Sequence, residues 1–292
     1  VAVMRNVAFG LLIGLCASCA TIGGTAPLLS DQFDRPDGSR VSDETWHIPT
    51  RVAEGDGTLI GRTQLRGTQH APLPRIEDGK AIISLQTYNP TGEPPGRSIY
   101  GTDLISNQSF SLEEGLHVKV RARMKADTPP GMVGGIFLYG LRSQGGADHD
   151  EVDFELITKK PGAIQTNIYS NEPLGQGHTG STPYDTGSIY DYHTYEIRWE
   201  PNRVSWLVDG RLIRTEEDRI PTGPMNLHLN IWAPDHGWPE AYDDTLQHAG
   251  TPAENTEYWM SVDSVEITRP TGIDQPTSST RSPAMGLPLQ GG

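Results

Sequence analysis

The sequence contains almost no cysteine and no cluster of basic residues, and each absence excludes a class of protein. Cys16 and Cys19 are its two cysteines among 292 residues. Both lie near the start, so we expect the rest of the chain to be stabilised by its core without disulfides. The formal net charge is −14, and no basic run occurs anywhere. Nucleic-acid binding is therefore disfavoured, because neutralising phosphates requires clustered Lys and Arg.

Long apolar runs are scarce as well. Val7 to Leu15 is apolar but too short to span a bilayer as a helix. With Arg5 before it, this run predicts a secretory signal over residues 1–20 and hence a secreted or cell-envelope location. Cys-Ala-Ser-Cys, ending at Cys19, resembles the cleavage box of a bacterial lipoprotein. It predicts a lipid anchor at Cys19 as the one membrane attachment, and the alternative is an ordinary signal peptide.

A helical period is also lacking, and about a dozen segments alternate between apolar and polar residues instead. Gly- and Pro-rich turns separate these segments, and Asp209-Gly210 predicts a hairpin. Such a series predicts a two-sheet antiparallel β-sandwich or a barrel. We expect a linker over 21–30, one all-β domain over 31–270, and a disordered tail over 271–292. The predicted strands are 45–48, 58–65, 80–88, 100–107, 116–124, 131–139, 151–157, 163–170, 192–200, 203–214, 224–232 and 258–268.

The most informative of these segments carries three acids in alternation: Glu151, Asp153 and Glu155. The intervening residues are apolar, so a strand here would bury one face and place all the carboxylates on the other. Carboxylates crowded in this way shift each other's pKa values, and folds tolerate this mainly where chemistry uses it. A solvated strand would include basic residues, and a calcium loop would need a glycine at its sixth position. Both alternatives fit less well.

The spacing of these acids suits glycoside hydrolysis, which needs two carboxyl groups in different protonation states. At a rise of about 3.3 Å per residue, the Cα atoms of Glu151 and Glu155 are about 13 Å apart. Two long side chains leaning inward can approach the ~5–5.5 Å between carboxyl groups that a retaining glycosidase requires. Asp153 has a shorter side chain and would lie below them, within reach of a hydrogen bond.

Strand parity predicts polar and aromatic side chains beside these acids. Amides bond sugar hydroxyls and rings stack on the apolar faces of sugars, so this combination predicts a polysaccharide site. No Arg or Lys lies on the predicted face of segment 225–232, which favours a neutral polymer. The candidate substrate-binding residues are Phe137, Tyr139, His149, Gln165, Asn167, Tyr169, Asn226, His228, Asn230 and Trp232.

The run Glu-Val-Asp-Phe-Glu, preceded by His-Asp, resembles the active-site strand of glycoside hydrolase family 16. Other segments follow in the family's order across about residues 30 to 270, including 163–169, 192–199, 204–210 and 225–232. The resemblance implies a concanavalin-like jelly roll with a cleft on its concave sheet. It also implies a nucleophile at Glu151, an acid/base at Glu155 and an assisting Asp153, with Gln165 and Asn167 on the family's sugar-contacting strand.

Two details of the motif bear on the substrate that the resemblance implies. No extra residue precedes Glu155, as in lichenases and transglycosylases, whereas laminarinases and agarases typically carry a bulge there. His149 occupies a position where xyloglucan-type members have His and lichenases commonly have Trp. We expect an endo-hydrolase of mixed-linkage β-1,3-1,4-glucan. The alternatives are a transglycosylase acting on xyloglucan or chitin–glucan acceptors and a non-catalytic, lectin-like carbohydrate-binding protein.

No cofactor is expected for catalysis, and we expect a monomer. Many family members hold a structural calcium ion on the convex side, partly through an Asp of the last strand. Asp263 occupies a comparable position in this sequence. The resemblance therefore implies Asp263 as a calcium ligand.

Overall fold

The computed structural model describes residues 26–41, 44–48, 59–65, 74–90, 99–113, 115–143, 148–173, 175–185 and 187–270. The predicted signal segment, Cys19, the first half of the predicted linker and the predicted tail lie outside these ranges. Within them, the helical element is a single 3₁₀ turn, Pro252–Glu254. No helix in the described part of the chain is long and apolar enough to cross a membrane.

Two sheets contain all of the described strands. The strands are β1 (Leu29–Asp31), β2 (Trp46–His47), β3 (Leu59–Ile60), β4 (Thr63–Leu65), β5 (Arg75–Glu77), β6 (Lys80–Gln86), β7 (Ile99–Gly101), β8 (Asp103–Phe110), β9 (Leu116–Met124), β10 (Val133–Leu141), β11 (Asp148–Ile157), β12 (Ala163–Pro173), β13 (Gly180–Pro183), β14 (His193–Glu200), β15 (Arg203–Val208), β16 (Arg211–Glu216), β17 (Met225–Trp232) and β18 (Glu257–Thr268). The seven-stranded sheet has the order β13-β12-β11-β10-β17-β8-β2, and the other sheet has eleven strands. Pairing among the described strands is antiparallel except between β4 and β7, so the predicted two-sheet antiparallel architecture is confirmed.

The differences from the predicted strands come from tight turns and short strands. The 203–214 segment folds into β15 and β16 around Asp209-Gly210, whose φ values of 51° and 79° match the predicted hairpin turn. Leu29 pairs with Ile267 in β1, so the domain begins before residue 31 and the predicted linker is too long. Strands β5 and β13 were not predicted, because three or four residues are too few to show an alternation.

The hydrophobic core lies between the sheets and fixes which side of β11 faces outward. Val152, Phe154 and Leu156 are fully buried. Trp199 and Trp206 are also fully buried. Since side chains alternate along a strand, the three acids of β11 face away from the core, onto the outer surface of the seven-stranded sheet. We call this surface the cleft face.

Candidate active site

Cross-strand rows on the cleft face bring the predicted site residues together. Each row contains one acid of β11 and its neighbours on β12, β10 and β17. The row of Glu151 holds Tyr169, Tyr139 and Asn226; the row of Asp153 holds Asn167, Phe137 and His228; the row of Glu155 holds Gln165, Gly135 and Asn230. A fourth row, beyond Glu155, is formed by Ile157, Val133 and Trp232. The parity prediction therefore placed these side chains on the correct face.

The register of β11 is continuous from Glu151 to Glu155 against both neighbouring strands. A bulge would insert a residue and turn the last acid away from its row. One irregularity lies upstream, between His149 and Asp150. The prediction of an unbulged acidic segment is thus confirmed, and all three carboxyl groups point to the same face.

At one end of the acidic segment, Glu151 is held by an imidazole. Nε2 of His149 lies 2.9 Å from Oε2 of Glu151. The His149 ring is buried, with its centroid 5.2 Å from that of Tyr139 and 4.5 Å from that of Tyr169. Burial, together with the negative charge of Glu151, raises the pKa of both tyrosine hydroxyls. The Glu151 carboxylate therefore lies in a close-fitting aromatic frame.

Asp153, in the middle, is 4% exposed. Burial raises the pKa of its carboxyl well above its usual range, and the charges of Glu151 and Glu155 raise it further. These shifts favour the protonated form of Asp153, whose O–H can donate a hydrogen bond to the Glu151 carboxylate. From the opposite sheet, Nε1 of Trp206 donates to the backbone oxygen of Asp153 at 2.9 Å, which ties the acidic strand to the core.

Glu155 lies at the other end, partly exposed to the cleft. Burial raises the pKa of Glu155 to about 7; a hydrogen bond from Gln165 opposes this rise, and the charge of Glu151 adds to it. Nε2 of Gln165 donates to Oε2 of Glu155 at 2.8 Å. The neighbouring position is Gly135, where a Cβ atom would lie 2.5 Å from Oδ1 of Asn230. Glycine at this position therefore lets the side chain of Asn230 approach the backbone beside Glu155.

Two other predicted sugar contacts are already engaged with protein groups. Nδ2 of Asn226 donates to the backbone oxygens of Ser106 and Gln108 at 2.8 and 3.2 Å, where β8 is irregular opposite β17. Asn167 accepts a hydrogen bond from Oγ1 of Thr179 at 3.3 Å. Both amides face the cleft, but Asn226 also stabilises the backbone of β8 and Asn167 also binds the hydroxyl of Thr179.

His228 belongs to a pair that sequence reasoning missed. Its Nδ1 lies 2.8 Å from Oδ2 of Asp103, and its ring stacks on Phe137 with the centroids 4.8 Å apart. Asp103 pairs with Asn230 across β8 and β17, which places it on the cleft face. Asp103 is the one acid of β8, whose other residues are apolar or are polar without charge. Strand parity could have identified this isolated acid from the sequence.

Asp150, inside the motif, was also missed. It is buried and points to the side opposite the catalytic acids. It accepts hydrogen bonds from Arg142 at 2.8 Å and from the backbone N–H groups of Asn171 at 2.7 Å and Gly223 at 2.6 Å. These donors stabilise its charge, so its role is to join β11 to the neighbouring loops.

Asp263, the predicted calcium ligand, lies between two cationic side chains. Its Oδ2 accepts a hydrogen bond from Arg121 at 3.0 Å, and its Oδ1 lies 3.6 Å from Nζ of Lys80. Within the described residues, no group of three His, Cys, Asp or Glu side chains is arranged to hold a metal ion. A calcium ion would compete with two fixed positive charges, so the surroundings of Asp263 do not fit a calcium ligand, and calcium binding stays an untested prediction.

These features define a class: a two-sheet sandwich whose outer face carries a row of carboxyl groups flanked by aromatic and amide side chains. The chain belongs to the glycosyl hydrolases family 16, whose family model matches residues 80–256. Solved structures with the same fold include a prokaryotic β-1,3-1,4-glucanase (lichenase) derived from a mouse hindgut metagenome. That structure has a TM-score of 0.64 at 24% identity and covers 82% of this chain and 98% of its own.

Two curated relatives share substantial parts of the sequence. A beta-glucanase of Fibrobacter succinogenes is 32% identical over 156 residues, covering 51% of this chain and 44% of the relative. Crh-like protein 2 of Aspergillus fumigatus is 26% identical over 238 residues, covering 76% of this chain and 49% of the relative. The matched region is thus about half the length of each of these relatives.

Proposed function

We propose that the protein is a retaining, endo-acting hydrolase of β-glucan and that mixed-linkage β-1,3-1,4-glucan is its substrate. The observation that carries this proposal is the asymmetry within one row of acids. Glu155, with its pKa raised to about 7, retains a proton that it can donate near neutral pH. Glu151 accepts hydrogen bonds from His149 and from the protonated Asp153, which suits a carboxylate nucleophile.

The reaction has two steps. A Glu151 oxygen attacks the anomeric carbon while Glu155 transfers its proton to the departing glycosidic oxygen, which leaves a covalent glycosyl-enzyme and a free sugar hydroxyl. Water then attacks the same carbon, Glu155 takes a proton from it, and Glu151 leaves as a carboxylate. Two inversions give net retention. Asp153 keeps its hydrogen bond to Glu151 and offsets the charge that Glu151 regains.

The substrate assignment rests on the chemistry of the cleft face. Its four rows contain acids, amides, an imidazole and aromatic rings and no Arg or Lys, which favours a neutral polymer over a sulfated or uronic one. The unbulged acidic segment and the likeness to a beta-glucanase of F. succinogenes support a mixed-linkage glucan. Product analysis on lichenan, laminarin, xyloglucan and agarose tests this assignment. Cleavage of laminarin or agarose alone would refute it.

Transglycosylation is a second candidate, favoured by two observations. His149 contacts Glu151 directly, as in the xyloglucan-type resemblance, and Crh-like protein 2 is a relative over 76% of this chain. Hydrolysis and transglycosylation share the glycosyl-enzyme intermediate. They differ in whether water or another sugar accepts the glycosyl group. Incubation with polymer and a fluorescent oligosaccharide separates them, because hydrolysis leaves the label on a short chain and transfer moves it to high mass.

The location of the protein is a further part of the proposal. We infer secretion or attachment to the cell envelope from the apolar segment after Arg5, and a lipid anchor from the box that ends at Cys19. Expression of the full chain in a bacterium with a radiolabelled fatty acid tests both. Label on the wild type that is absent from Cys19→Ala supports the anchor. Unlabelled protein in the medium supports an ordinary signal peptide.

A further inference from the structure

Two cationic side chains hold the loop that follows the last cleft strand. Nζ of Lys159 donates to the oxygens of Pro239 and Tyr242 at 3.3 and 2.7 Å, and Arg62 contacts points of the loop that lie further apart. Arg62, in the turn between β3 and β4, donates from Nε to the oxygen of Pro234 at 2.9 Å, from Nη1 to that of Leu246 at 2.6 Å and from Nη2 to that of Asp243 at 3.1 Å. Its guanidinium also lies 4.8 Å from the centre of the Tyr242 ring. One side chain thus joins three separate points of the 233–251 loop.

The turn that carries Arg62 is fitted against the start of this loop. The N–H of Arg62 donates to the oxygen of Ala233 at 2.8 Å. At Gly61, where φ is +57°, a Cβ atom would lie 2.6 Å from that same oxygen and 2.7 Å from Cα of Pro234. Glycine is needed there both for the backbone conformation and for the close approach. The position of Arg62 relative to the loop is therefore fixed by backbone contacts.

The loop in turn forms one end of the cleft. The rings of Trp238 and Trp232 lie 5.7 Å apart. Both indoles and Ala241 pack over Val133 and Ile157, which form the row immediately beyond Glu155. The N–H of Tyr242 donates to the oxygen of Trp238 at 2.8 Å. The short turn that presents Trp238 is thus the same turn that Arg62 contacts through Tyr242.

We propose that Arg62 is a positioning residue that sets Trp238 beside Trp232 as a sugar-stacking wall at the Glu155 end of the cleft. The inference rests on the proposed polysaccharide function and assigns Arg62 no contact with substrate. A loop of this length with little regular structure would otherwise lose conformational freedom when a sugar binds, and that loss weakens binding. Arg62 orders the loop before a sugar binds, because the five donors of its planar guanidinium can bond several carbonyl groups at once.

The test compares Arg62→Met, Trp238→Ala and the double variant. We expect Arg62→Met and Trp238→Ala each to raise KM for polymeric β-glucan roughly threefold to tenfold, the range of one aromatic contact. We expect kcat on a short aryl glycoside to stay unchanged in Arg62→Met. If Arg62 acts through Trp238, the double variant has the KM of Trp238→Ala alone. Multiplied effects would show that the two residues act separately and would overturn the proposal.

Arg75→Met is the matched control. Arg75 is also partly buried and multiply bonded, to Glu77 at 2.6 Å, Ser84 at 2.9 Å and Glu257 at 2.6 Å, but it lies on the eleven-stranded sheet. We expect it to lower the melting temperature without raising KM. If KM rose equally in Arg75→Met and Arg62→Met, Arg62 would affect KM only by stabilising the fold.

A second measurement is independent of catalysis. The two indoles, tilted by 34° with their centroids 5.7 Å apart, should give an exciton band in circular dichroism that is lost in Trp238→Ala. We expect the band to be lost in Arg62→Met and retained in Arg75→Met. An unchanged band in Arg62→Met contradicts the positioning role even if the protein proves inactive on every glucan. Loss of the band with no glucanase activity in the wild type would instead reject the proposed function alone.

Discussion

The two ends of the acidic segment of β11 differ more than their sequence symmetry suggests. At one end, Glu151 is hydrogen-bonded by His149 and by protonated Asp153, between two tyrosines. At the other end, Glu155 receives one hydrogen bond, from Gln165, and lies next to Gly135, where the side chain of Asn230 approaches the backbone. The first environment supplies hydrogen-bond partners to a carboxylate nucleophile, and the second favours a carboxyl group that holds a proton.

This difference shows how one residue type can perform two tasks on one strand. The neutral form of the central Asp153 is favoured because the side chain is buried and lies between two carboxyl groups, which raise its pKa. Its proton is directed towards Glu151, so it stabilises the charge there and leaves Glu155 without equivalent support. The strand alternation provides three acids on one face, and their unequal partners make them chemically different.

The largest expected effects come from removing either catalytic carboxyl group. Glu151→Gln removes the nucleophile and Glu155→Gln removes the proton donor, so we expect turnover of β-glucan to fall on the order of 10²- to 10⁴-fold or more in each. An aryl glycoside with a good leaving group needs no proton, so it should form the glycosyl-enzyme with Glu155→Gln and not with Glu151→Gln.

Burst kinetics with that substrate and intact-mass spectrometry check the assignment, with circular dichroism confirming the fold. If Glu151→Gln were the variant that accumulated the covalent adduct, the roles of the two ends would be reversed.

Asp153→Asn should have the next largest effect. An amide keeps the shape of the protonated acid and one N–H donor, but donates less strongly to Glu151. Losing part of a hydrogen bond to a charged group costs up to about 1.5–3 kcal/mol, so we expect kcat to fall by roughly 10- to 100-fold. Steady-state kinetics measures this loss. A kcat equal to that of Glu151→Gln would mean that Asp153 takes part directly in the reaction.

The same variant should alter the pH dependence of stability in a defined direction. Because the folded-state pKa of Asp153 is raised, the folded protein binds more protons than the unfolded chain above the usual Asp range. The stability contributed by this protonated carboxyl is therefore fully present at low pH and declines as pH rises through that window. Asp153→Asn should weaken this decline, which thermal melts between pH 4 and pH 8 can check.

A smaller effect is expected from substituting Gln165, and it should appear in the pH dependence of activity. Glu155 must be protonated to donate, so the pKa of about 7 predicts activity that is present below pH 7 and lost as pH rises through it. Gln165→Leu removes a hydrogen bond that favours the charged form, so the alkaline limb of kcat/KM should move to higher pH. His228→Leu, on the same face but away from Glu155, is the control and should leave this limb in place. If the alkaline limb does not move in Gln165→Leu, Gln165 does not influence the pKa of the proton donor Glu155.

The smallest effect is expected from calcium removal. The pairing of Asp263 with Arg121 and Lys80 leaves this carboxylate poorly suited to bind calcium. A chelator should therefore change neither the melting temperature nor the activity that depends on the two ends of β11. Differential scanning fluorimetry with EDTA and with added Ca²⁺ measures this. A rise in melting temperature with Ca²⁺ that disappears in Asp263→Asn would restore the original assignment.

Much of the site followed from alternation along single strands. Parity placed Gln165, Asn167 and Tyr169 opposite the core residues Ile164 and Ile168, and the structure confirms this separation. Parity operates within one strand, so it could not show which residues meet across strands. The hydrogen bond between Asp103 and His228 depends on a pairing between segments more than a hundred residues apart, and for that reason it was missed.

The sequence by itself determined the all-β class, the strand that carries the acids and the face on which they lie, because a period of two residues is a local property of the chain. Only the tertiary structure decided which carboxyl group is protonated and how the ends of the cleft are formed. Protonation depends on burial and on partners contributed by β11, β12 and β16. The wall beyond Glu155 depends on Arg62, which lies far from Trp238 in sequence and contacts the loop that carries Trp238 only in the folded chain.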